Sequence, residues 1–251
     1  MRIVTKKGGS KRLKRIAAPV TYKIPRKRFK WVIKPIPGPH PADNSIPIGV
    51  LIRDILRIAN DLREVKYILR QGYVEVDGKK IKTYKYPVGL MDVIHLVPSD
   101  IYYRIVPDKI SYLKPLKIID EKEKNIKPLL IKNKVMVKGG YIQLTSHDGR
   151  NFRLENDNEY SKLKPGDTLI YDFREGRLEG YIRFEKGNLA VIYWGSKRGM
   201  IGKIVETRKP HPLKPRIAIL DVEGKHVETV FEYVFPIGID YPIVSLGERH
   251  E

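Results

Sequence analysis

The sequence predicts an α+β protein of several domains, in which a basic N-terminal arm precedes a two-helix unit and two β-rich units. Three observations give this expectation. Residues 1–42 contain thirteen Lys/Arg, six Pro and no Asp or Glu. Residues 48–72 have apolar side chains at helical spacing. Beyond residue 100, short apolar or alternating runs are separated by turns that contain glycine.

The composition indicates that the partner is a polyanion. The formal net charge is +20, from 49 Lys/Arg against 29 Asp/Glu. A protein this basic repels itself in isolation, so nucleic acid is the expected partner and an anionic membrane surface is the weaker alternative. No apolar run approaches about 18 residues, so no membrane span is predicted. The absence of cysteine excludes disulfides, cysteine-ligated zinc and thiol catalysis, and it fits a reducing cytoplasm.

The first segment, residues 1–42, is predicted to be a basic extended arm. Its prolines forbid long helices, so we expect one short helix at Ser10–Ala17 and folding only on a partner. An ordinary disordered tail is the alternative, but Tyr22, Phe29 and Trp31 argue against it. The residues expected to contact RNA are Lys11, Arg12, Lys14, Arg15, Arg26, Lys27, Arg28, Lys30 and Trp31.

Two basic amphipathic helices are predicted next. Ser45 is expected to cap a first helix whose apolar residues run from Ile48 to Ala59, with Arg53 and Arg57 on one face. Asp61 and Glu64 form a capping box for a second helix, which Gly72 ends. The candidates for phosphate contact are Arg53, Arg57, Lys66 and Arg70. The alternative is a charged helix face that contacts only solvent.

A small sheet follows the helices. Asp77-Gly78 predicts a hairpin turn, and Lys79 and Lys80 on its return strand are further candidates for RNA contact. Met91–Val97 predicts another strand. The stretch Lys114–Lys127 is rich in Lys and Glu, which predicts an exposed turn or short helix.

The remainder of the chain predicts β structure. A middle group of strands is expected at Ile101–Val106, Leu129–Lys132, Lys134–Val137, Tyr141–Thr145, Asn151–Leu154 and Thr168–Phe173. A compact antiparallel barrel is expected from Arg177–Phe184, Leu189–Trp194, Ile201–Thr207, Arg216–Val222 and His226–Phe235. Lys197 and Arg198 lie in a glycine-bounded turn of this barrel. They are expected either to reach phosphate or to contact only solvent.

No catalytic, metal-binding or cofactor-binding residues are predicted. The six histidines are scattered without paired spacing, and Gly199–Lys203 lacks the Ser/Thr and the glycine spacing of a phosphate-binding loop. Ser196 lacks the glycine-flanked setting of a nucleophilic serine.

Six short stretches occur in an order and spacing that match one known family over nearly the whole chain. They are Lys11–Pro19, Gly38–His40, Ser45–Ile48, Tyr86–Ile94, Thr145–Arg150 and Gly187–Leu189. Together they resemble the archaeal and eukaryotic small-subunit ribosomal proteins of the S-four-e family.

The resemblance implies a domain for each part of the chain. Residues 43–104 would be an S4-like two-helix RNA-binding domain, 105–172 a central β domain, 173–222 a KOW-type small β-barrel, and 223–251 C-terminal strands and a tail. It implies a structural constituent of the small ribosomal subunit that binds rRNA and supports subunit assembly and translation. The expected partners are small-subunit rRNA and neighbouring ribosomal proteins, in cytoplasmic ribosomes, with no cofactor, membrane or small-molecule substrate.

The sequence leaves two other functions open. S4-type domains also occur on pseudouridine synthases, and Gly176–Glu179 is similar to their catalytic motif except that Glu179 replaces the aspartate. The extra methylene would displace the nucleophile, which catalysis tolerates poorly. The second alternative is a KOW protein that acts outside the ribosome, although such factors seldom need so long a basic arm.

Overall fold

The computed structural model describes residues 12–156, 158–209, 211 and 214–247. Within them the protein is mixed α/β, with mostly β strands and few helices. Three five-stranded antiparallel sheets follow one another along the chain, accompanied by two small strand pairs.

The N-terminal segment, residues 12–44, is packed against the two-helix unit. Strands β1 (Leu13–Lys14) and β2 (Trp31–Val32) form an antiparallel pair. Tyr22, Ile24 and Ile33 are buried in the same core as the helices. The prediction of an extended arm that folds only on a partner is therefore wrong for residues 12–42, because the segment contains enough apolar side chains to pack against the two-helix unit.

Only part of the predicted helix at Ser10–Ala17 lies within the described residues. In that part, Arg15–Ala17 form one 3₁₀ turn, and a second follows after it at Val20–Tyr22. The prolines account for such short elements, since the residue before a proline avoids helical geometry.

The first helix is shorter and wider than predicted. Strand β3 (Ser45–Pro47) precedes α1 (Ile48–Val50), which continues as a π-helical turn over Leu51–Ile55. Ser45 is wholly buried in β3, and the side chain preceding α1 makes no capping hydrogen bond, so the predicted Ser45 cap is wrong. The helix ends before Arg57, whose φ of 56° lies in the left-handed region.

The second helix, α2 (Leu62–Arg70), confirms its predicted bounds. The Asp61 carboxylate accepts hydrogen bonds from the Arg63 and Glu64 amides at 2.7 and 2.8 Å. The Glu64 carboxylate reaches back to the Asn60 amide at 2.7 Å, one residue earlier than in the usual capping box. Gly72 ends the helix with a φ of 73°.

The first sheet has the order β5-β4-β7-β8-β9. The strands of this region are β4 (Val74–Val76), β5 (Lys79–Lys80), β6 (Pro87–Gly89), β7 (Val93–Leu96), β8 (Ile101–Asp108) and β9 (Tyr112–Ile118). Strand β6 pairs with β3 instead of joining the sheet. Asp77 and Gly78 both have positive φ between β4 and β5, which confirms the predicted hairpin turn.

The stretch from Lys114 to Lys127 was predicted as an exposed turn or short helix, which is confirmed for its middle and wrong for its ends. Lys122–Lys124 form one 3₁₀ turn, and Lys122 is exposed. Lys114–Ile118 and Ile126–Lys127 lie in strands. Its first part belongs to β9, which pairs with β8 across the predicted domain boundary at residues 104/105. Its end is tied down by Arg104, which is fully buried and donates from Nη2 to the carbonyls of Glu123 and Ile126 at 2.8 and 2.9 Å. Burial lowers the pKa of Arg104 to about 10.

The second sheet has the order β12-β11-β10-β13-β14 and its own core. Its strands are β10 (Ile126–Val137), β11 (Tyr141–Ser146), β12 (Asn151–Leu154), β13 (Thr168–Asp172) and β14 (Arg177–Ile182). Strand β14 was predicted to open the barrel, but it pairs with β13. The short β13–β14 turn favours this local pairing.

The third sheet has the order β18-β17-β16-β15-β19, with β18 and β19 as its edge strands. Its strands are β15 (Leu189–Ile192), β16 (Ile201–Arg208), β17 (Ile217–Val222), β18 (Lys225–Val230) and β19 (Val234–Gly238). The predicted domain boundaries at residues 172/173 and 222/223 therefore do not coincide with the boundaries between the sheets. Strand β14 belongs to the second sheet, and the strands after residue 223 belong to the third.

A buried ion cluster joins the first and second sheets. It consists of Lys127, Asp77, Asp92, Asp148 and Arg150. The ammonium of Lys127, which is 0% exposed, lies 2.6, 2.5 and 3.1 Å from the carboxylates of Asp77, Asp92 and Asp148. Arg150 contacts Asp77 and Asp148 at 2.8 and 3.0 Å.

Mutual attraction keeps most of this cluster charged. Burial alone would lower the pKa of Lys127, but the three carboxylates raise it above its usual value. Burial acts to raise the pKa of Asp92 and Asp148, yet nearby cations hold both well below their usual range. For Asp77, burial outweighs its cations and the pKa is raised.

Two histidines extend the cluster to the N-terminal segment and the third sheet. His40 Nε2 lies 2.9 Å from the Asp92 carboxylate. His147 Nδ1 accepts a hydrogen bond from the Leu130 amide at 3.2 Å, and its ring meets Phe235 edge-on with centroids 5.5 Å apart. Burial lowers the pKa of His147 to about 4, so this imidazole is neutral near pH 7.

We expect Lys127→Met to lower the free energy of unfolding by about 3–5 kcal/mol, because it leaves three buried carboxylates facing one another. Urea denaturation at pH 7 measures this. Lys122→Met is the matched control, since Lys122 is exposed in the same stretch and should change stability by less than about 0.5 kcal/mol. Equal losses in the two variants would contradict a stabilising role for the cluster.

Stability should also fall as the pH is lowered from 7 to 5. The unfolded chain protonates His147 near its ordinary pKa of about 6.5, whereas the folded chain resists until about pH 4, so acid favours unfolding in this window. The expected contribution is about 1–2 kcal/mol. Denaturation of wild type and His147→Gln at both pH values tests it, and the variant should show the smaller pH dependence. The same pH dependence in both proteins would refute the assignment.

Candidate nucleic-acid interface

Two of the arginines predicted to contact RNA are part of the internal structure of the N-terminal segment. Arg15 is 2% exposed, and its Nε donates to the Pro25 carbonyl at 2.5 Å. Arg26 Nη1 donates to the carbonyls of Ile16 and Ala18 at 2.9 and 2.6 Å. The expectation of RNA contact is therefore wrong for the buried Arg15, whereas for Arg26, which is partly exposed, it stays a prediction. Both serve a proline-rich backbone that needs donors for its carbonyl groups.

The other predicted residues of this segment form an exposed surface. Lys11 lies outside the described residues, whereas the exposed cations are Arg12, Lys14, Lys27, Arg28 and Lys30. Trp31 is 41% exposed. The Arg12 guanidinium and the Lys30 ammonium lie 5.7 and 5.4 Å from the centroid of its ring. Positive charge and an accessible aromatic face thus occur together, as nucleic-acid sites require.

Helix α2 presents a second exposed surface. Val65 and Leu69 face the core, and the opposite side has Arg63, Tyr67 and Arg70 at positions i, i+4 and i+7. Arg70 is exposed, as expected.

Lys66, another predicted residue of α2, is only partly exposed. Its ammonium lies 5.1 Å from the centroid of the Tyr84 ring. Lys66 therefore sits beside the exposed face of α2 and not at its centre.

Arg53 and Arg57 do not share a helix face, contrary to expectation. The Arg53 guanidinium is paired with the adjacent Asp54 carboxylate at 2.8 Å. Arg57 is exposed but follows the end of the helix in left-handed geometry. The π-helical turn at Leu51–Ile55 changes the number of residues per turn, so a spacing of four no longer places two side chains on one face.

The β4–β5 hairpin places two predicted lysines in solvent. Lys79 and Lys80 form β5, an edge strand of the first sheet, and both are exposed. Lys80 lies opposite Glu75 in the antiparallel pair. These residues are accessible to a phosphate backbone.

Two cations of the turn after β15 bond to neighbouring backbone. Arg198 Nε donates to the Asp108 carbonyl at 3.1 Å, and its guanidinium lies 3.4 Å from the centroid of the Tyr112 ring. Lys197 Nζ donates to the Glu228 carbonyl at 2.9 Å. Both side chains are partly buried, and contact with phosphate stays a prediction for them. Arg198 connects the third sheet to the β8–β9 turn, and Lys197 bonds to β18 within the third sheet.

Several exposed residues of the same surfaces were missed by the sequence reasoning. Phe29 is 61% exposed, and Tyr67 and Tyr73 are 60% and 38% exposed. The helical period that placed Val65 and Leu69 inside also places Arg63 and Tyr67 outside, so that signal was present for α2. For Phe29 no periodic pattern was available.

Other candidate chemistries find little support in the described residues. They contain no group of acidic, histidine or cysteine side chains able to hold a metal ion. No helix among them has the length and apolar character needed to cross a bilayer. Glu179, the candidate nucleophile, lies on β14, where its carboxylate is 3.9 Å from the Arg177 guanidinium.

Comparisons with known proteins agree on one family. The model described as Ribosomal family S4e matches residues 99–178, and that described as RS4NT (NUC023) domain matches residues 7–43. Small ribosomal subunit protein eS4 of Ignicoccus hospitalis is 42% identical over 247 residues, 96% of each chain. The protein of the same description from Methanocaldococcus jannaschii is 38% identical, over 97% of this chain and 100% of the relative.

A solved structure shows the same architecture. The crystal structure of the 30S ribosomal protein S4e from Thermoplasma acidophilum aligns with a TM-score of 0.67 at 31% sequence identity. The alignment covers 78% of this chain and 96% of the other.

We expect Arg26→Ala to open the N-terminal segment in the free protein, because three backbone carbonyls lose their donor. Chymotrypsin should then cleave after the buried Tyr22 about tenfold faster or more. Lys27→Ala is the matched control, since Lys27 is exposed, and its cleavage rate should equal that of wild type. Equal rates for both variants would show that Arg26 does not hold the segment.

Proposed function

The chain belongs to ribosomal family S4e, and from this membership we propose that it is a structural constituent of the small ribosomal subunit that binds rRNA. The observation that supports rRNA binding most directly is that its cations fall into two groups, those bonded to its own backbone and those exposed to solvent. Arg15, Arg26 and Arg198 are bonded to backbone carbonyls. Lys79, Lys80 and Arg70 remain exposed on rigid elements.

Rigid exposed cations suit the recognition of folded RNA. Proteins bind RNA helices mainly through phosphates, 2′-hydroxyls and overall shape. Side chains fixed on α2 and on the β4–β5 hairpin match a phosphate array with less loss of conformational entropy than a mobile tail would. The N-terminal segment, α2 and β5 are the proposed rRNA contacts, with Lys14, Lys27, Arg28, Arg57 and Lys66 as further members.

The domains that the resemblance implied remain part of the proposal. The two-helix unit with its hairpin would act as the S4-like RNA-binding domain. The third sheet would be the KOW-type unit, with Lys197 and Arg198 as its predicted RNA contacts. The buried ion cluster would hold these units in a fixed arrangement during subunit assembly.

The proposed location is the ribosome, and neighbouring ribosomal proteins are proposed as further partners. Members of the family are ribosomal structural proteins, so the chain is not an enzyme. The pseudouridine synthase alternative is therefore set aside. Sedimentation of the tagged chain through a gradient tests the proposal, which requires co-migration with the small subunit.

We expect rRNA affinity to fall steeply with salt, since each neutralised phosphate releases counterions. The paired change Lys79→Gln and Lys80→Gln should reduce the slope of log affinity against log salt by up to about two units. Titration of a small-subunit rRNA transcript at several salt concentrations measures this slope.

Arg53→Gln is the matched control for this titration. It also removes a positive charge, but Arg53 is already paired with Asp54, so the slope should stay unchanged. If Arg53→Gln reduced the slope as much per charge as the lysine changes do, net charge and not these positions would determine binding.

A further inference from the structure

Two aromatic rings of the N-terminal segment stay exposed, although the segment buries Tyr22, Ile24 and Ile33 in the core. Trp31 is 41% and Phe29 61% exposed, whereas Tyr22 and Ile24 in the same segment are 0% and 8% exposed. Exposed apolar rings cost free energy in water, so rings grouped at one place on a soluble protein mark a contact surface.

The surroundings of these rings identify the chemistry of the contact. Nine Lys/Arg and no Asp or Glu occur between residues 12 and 34. The Arg28 guanidinium lies 5.4 Å from the Phe29 centroid, and Arg12 and Lys30 flank Trp31 at similar distances. A ring face with cations beside it is complementary to a nucleotide, which has a planar base and an anionic phosphate.

The backbone around Trp31 is fixed before any partner binds. Lys14 and Trp31 lie opposite each other in the β1–β2 pair. The Arg15 amide donates to the Lys30 carbonyl at 2.9 Å, and the Arg15 side chain is bonded to the Pro25 carbonyl. The backbone that carries the ring is therefore already ordered, which reduces the entropy lost on binding.

We propose that Trp31, together with Phe29, stacks on an unpaired base of RNA, such as a bulged or loop nucleotide, while Arg12, Arg28 and Lys30 contact its phosphates. This inference rests on the proposed rRNA binding and adds which RNA structure the segment selects. In a continuous A-form duplex each base face is covered by its neighbours, so an aromatic side chain gains stacking only where a base is unpaired.

Fluorescence of the full chain tests the proposal. The sequence has two tryptophans, and Trp194→Phe leaves Trp31 as the only one while keeping an aromatic ring beside Tyr112. The probes are a short unpaired oligoribonucleotide of mixed sequence and a blunt-ended RNA duplex of the same strand length. At equal phosphate concentration, the single strand should quench Trp31 strongly and the duplex should not.

Trp31→Leu and Trp31→Tyr separate stacking from charge. Leucine removes the π face, so affinity for the single strand should fall about five- to hundredfold, with duplex affinity and the salt slope unchanged. Tyrosine keeps a ring and should restore most of the affinity. Ile16→Ala is the control, because Ile16 is 74% exposed nearby but not aromatic, and it should have no effect.

Each contrary result overturns the proposal in a distinguishable way. Equal quenching by both RNAs, or equal loss of both affinities in Trp31→Leu, refutes stacking while leaving rRNA binding intact. If neither RNA binds, the proposed function fails with it. If phosphatidylserine vesicles shift Trp31 emission and RNA does not, the segment contacts a membrane surface instead.

Discussion

Lys127 can be fully buried only because carboxylates from two sheets surround its ammonium. Asp77 comes from the β4–β5 turn, Asp92 from the chain after β6, and Asp148 from the β11–β12 turn. Removing the ammonium while the sheets stay together would leave unpaired carboxylates in an apolar interior, at a cost of several kcal/mol. The relative position of the first and second sheets, and through His40 that of the N-terminal segment, therefore depends on the ion pairs of this ammonium group, which Arg150 supports by contacting Asp77 and Asp148.

Several arginines of this very basic protein act as hydrogen-bond donors to its own backbone. Arg15, Arg26, Arg104 and Arg198 all donate to backbone carbonyls, which satisfies polar groups that irregular segments and turns leave without partners. The planar guanidinium, with five donors in a fixed geometry, suits this work better than an ammonium does. The exposed lysines, by contrast, are available for phosphate.

Local signals in the sequence were sufficient where structure is local. Asp61, Glu64 and Gly72 bounded α2 correctly, and Asp77-Gly78 located the hairpin, because capping and turn geometry involve only neighbouring residues.

Features that depend on distant partners were not predictable. Lys127 ends a Lys/Glu-rich stretch and resembles any solvated lysine until Asp77, Asp92 and Asp148 are brought to it. Strand β14 was predicted to open the barrel because the sequence of a strand after a short turn does not show which of two neighbouring sheets it joins. Buried and exposed arginines of the first segment have the same sequence surroundings. Composition therefore indicated the class of partner but could not say which cations face it.

The packing of the N-terminal segment also affects the order of folding during synthesis. Lys23 bonds to Ser111, 88 residues later, and His40 contacts Asp92, 52 residues later. His40 thus lacks its partner until 52 residues have followed it, and Lys23 lacks its partner until 88 have followed. During that interval the segment's nine cations and two exposed rings are accessible to any polyanion in the cell. Folding of the first sheet then buries Arg15 and Tyr22 while Phe29 and Trp31 stay exposed, so the nascent chain has a limited period in which contacts of these two buried side chains with a polyanion compete with folding.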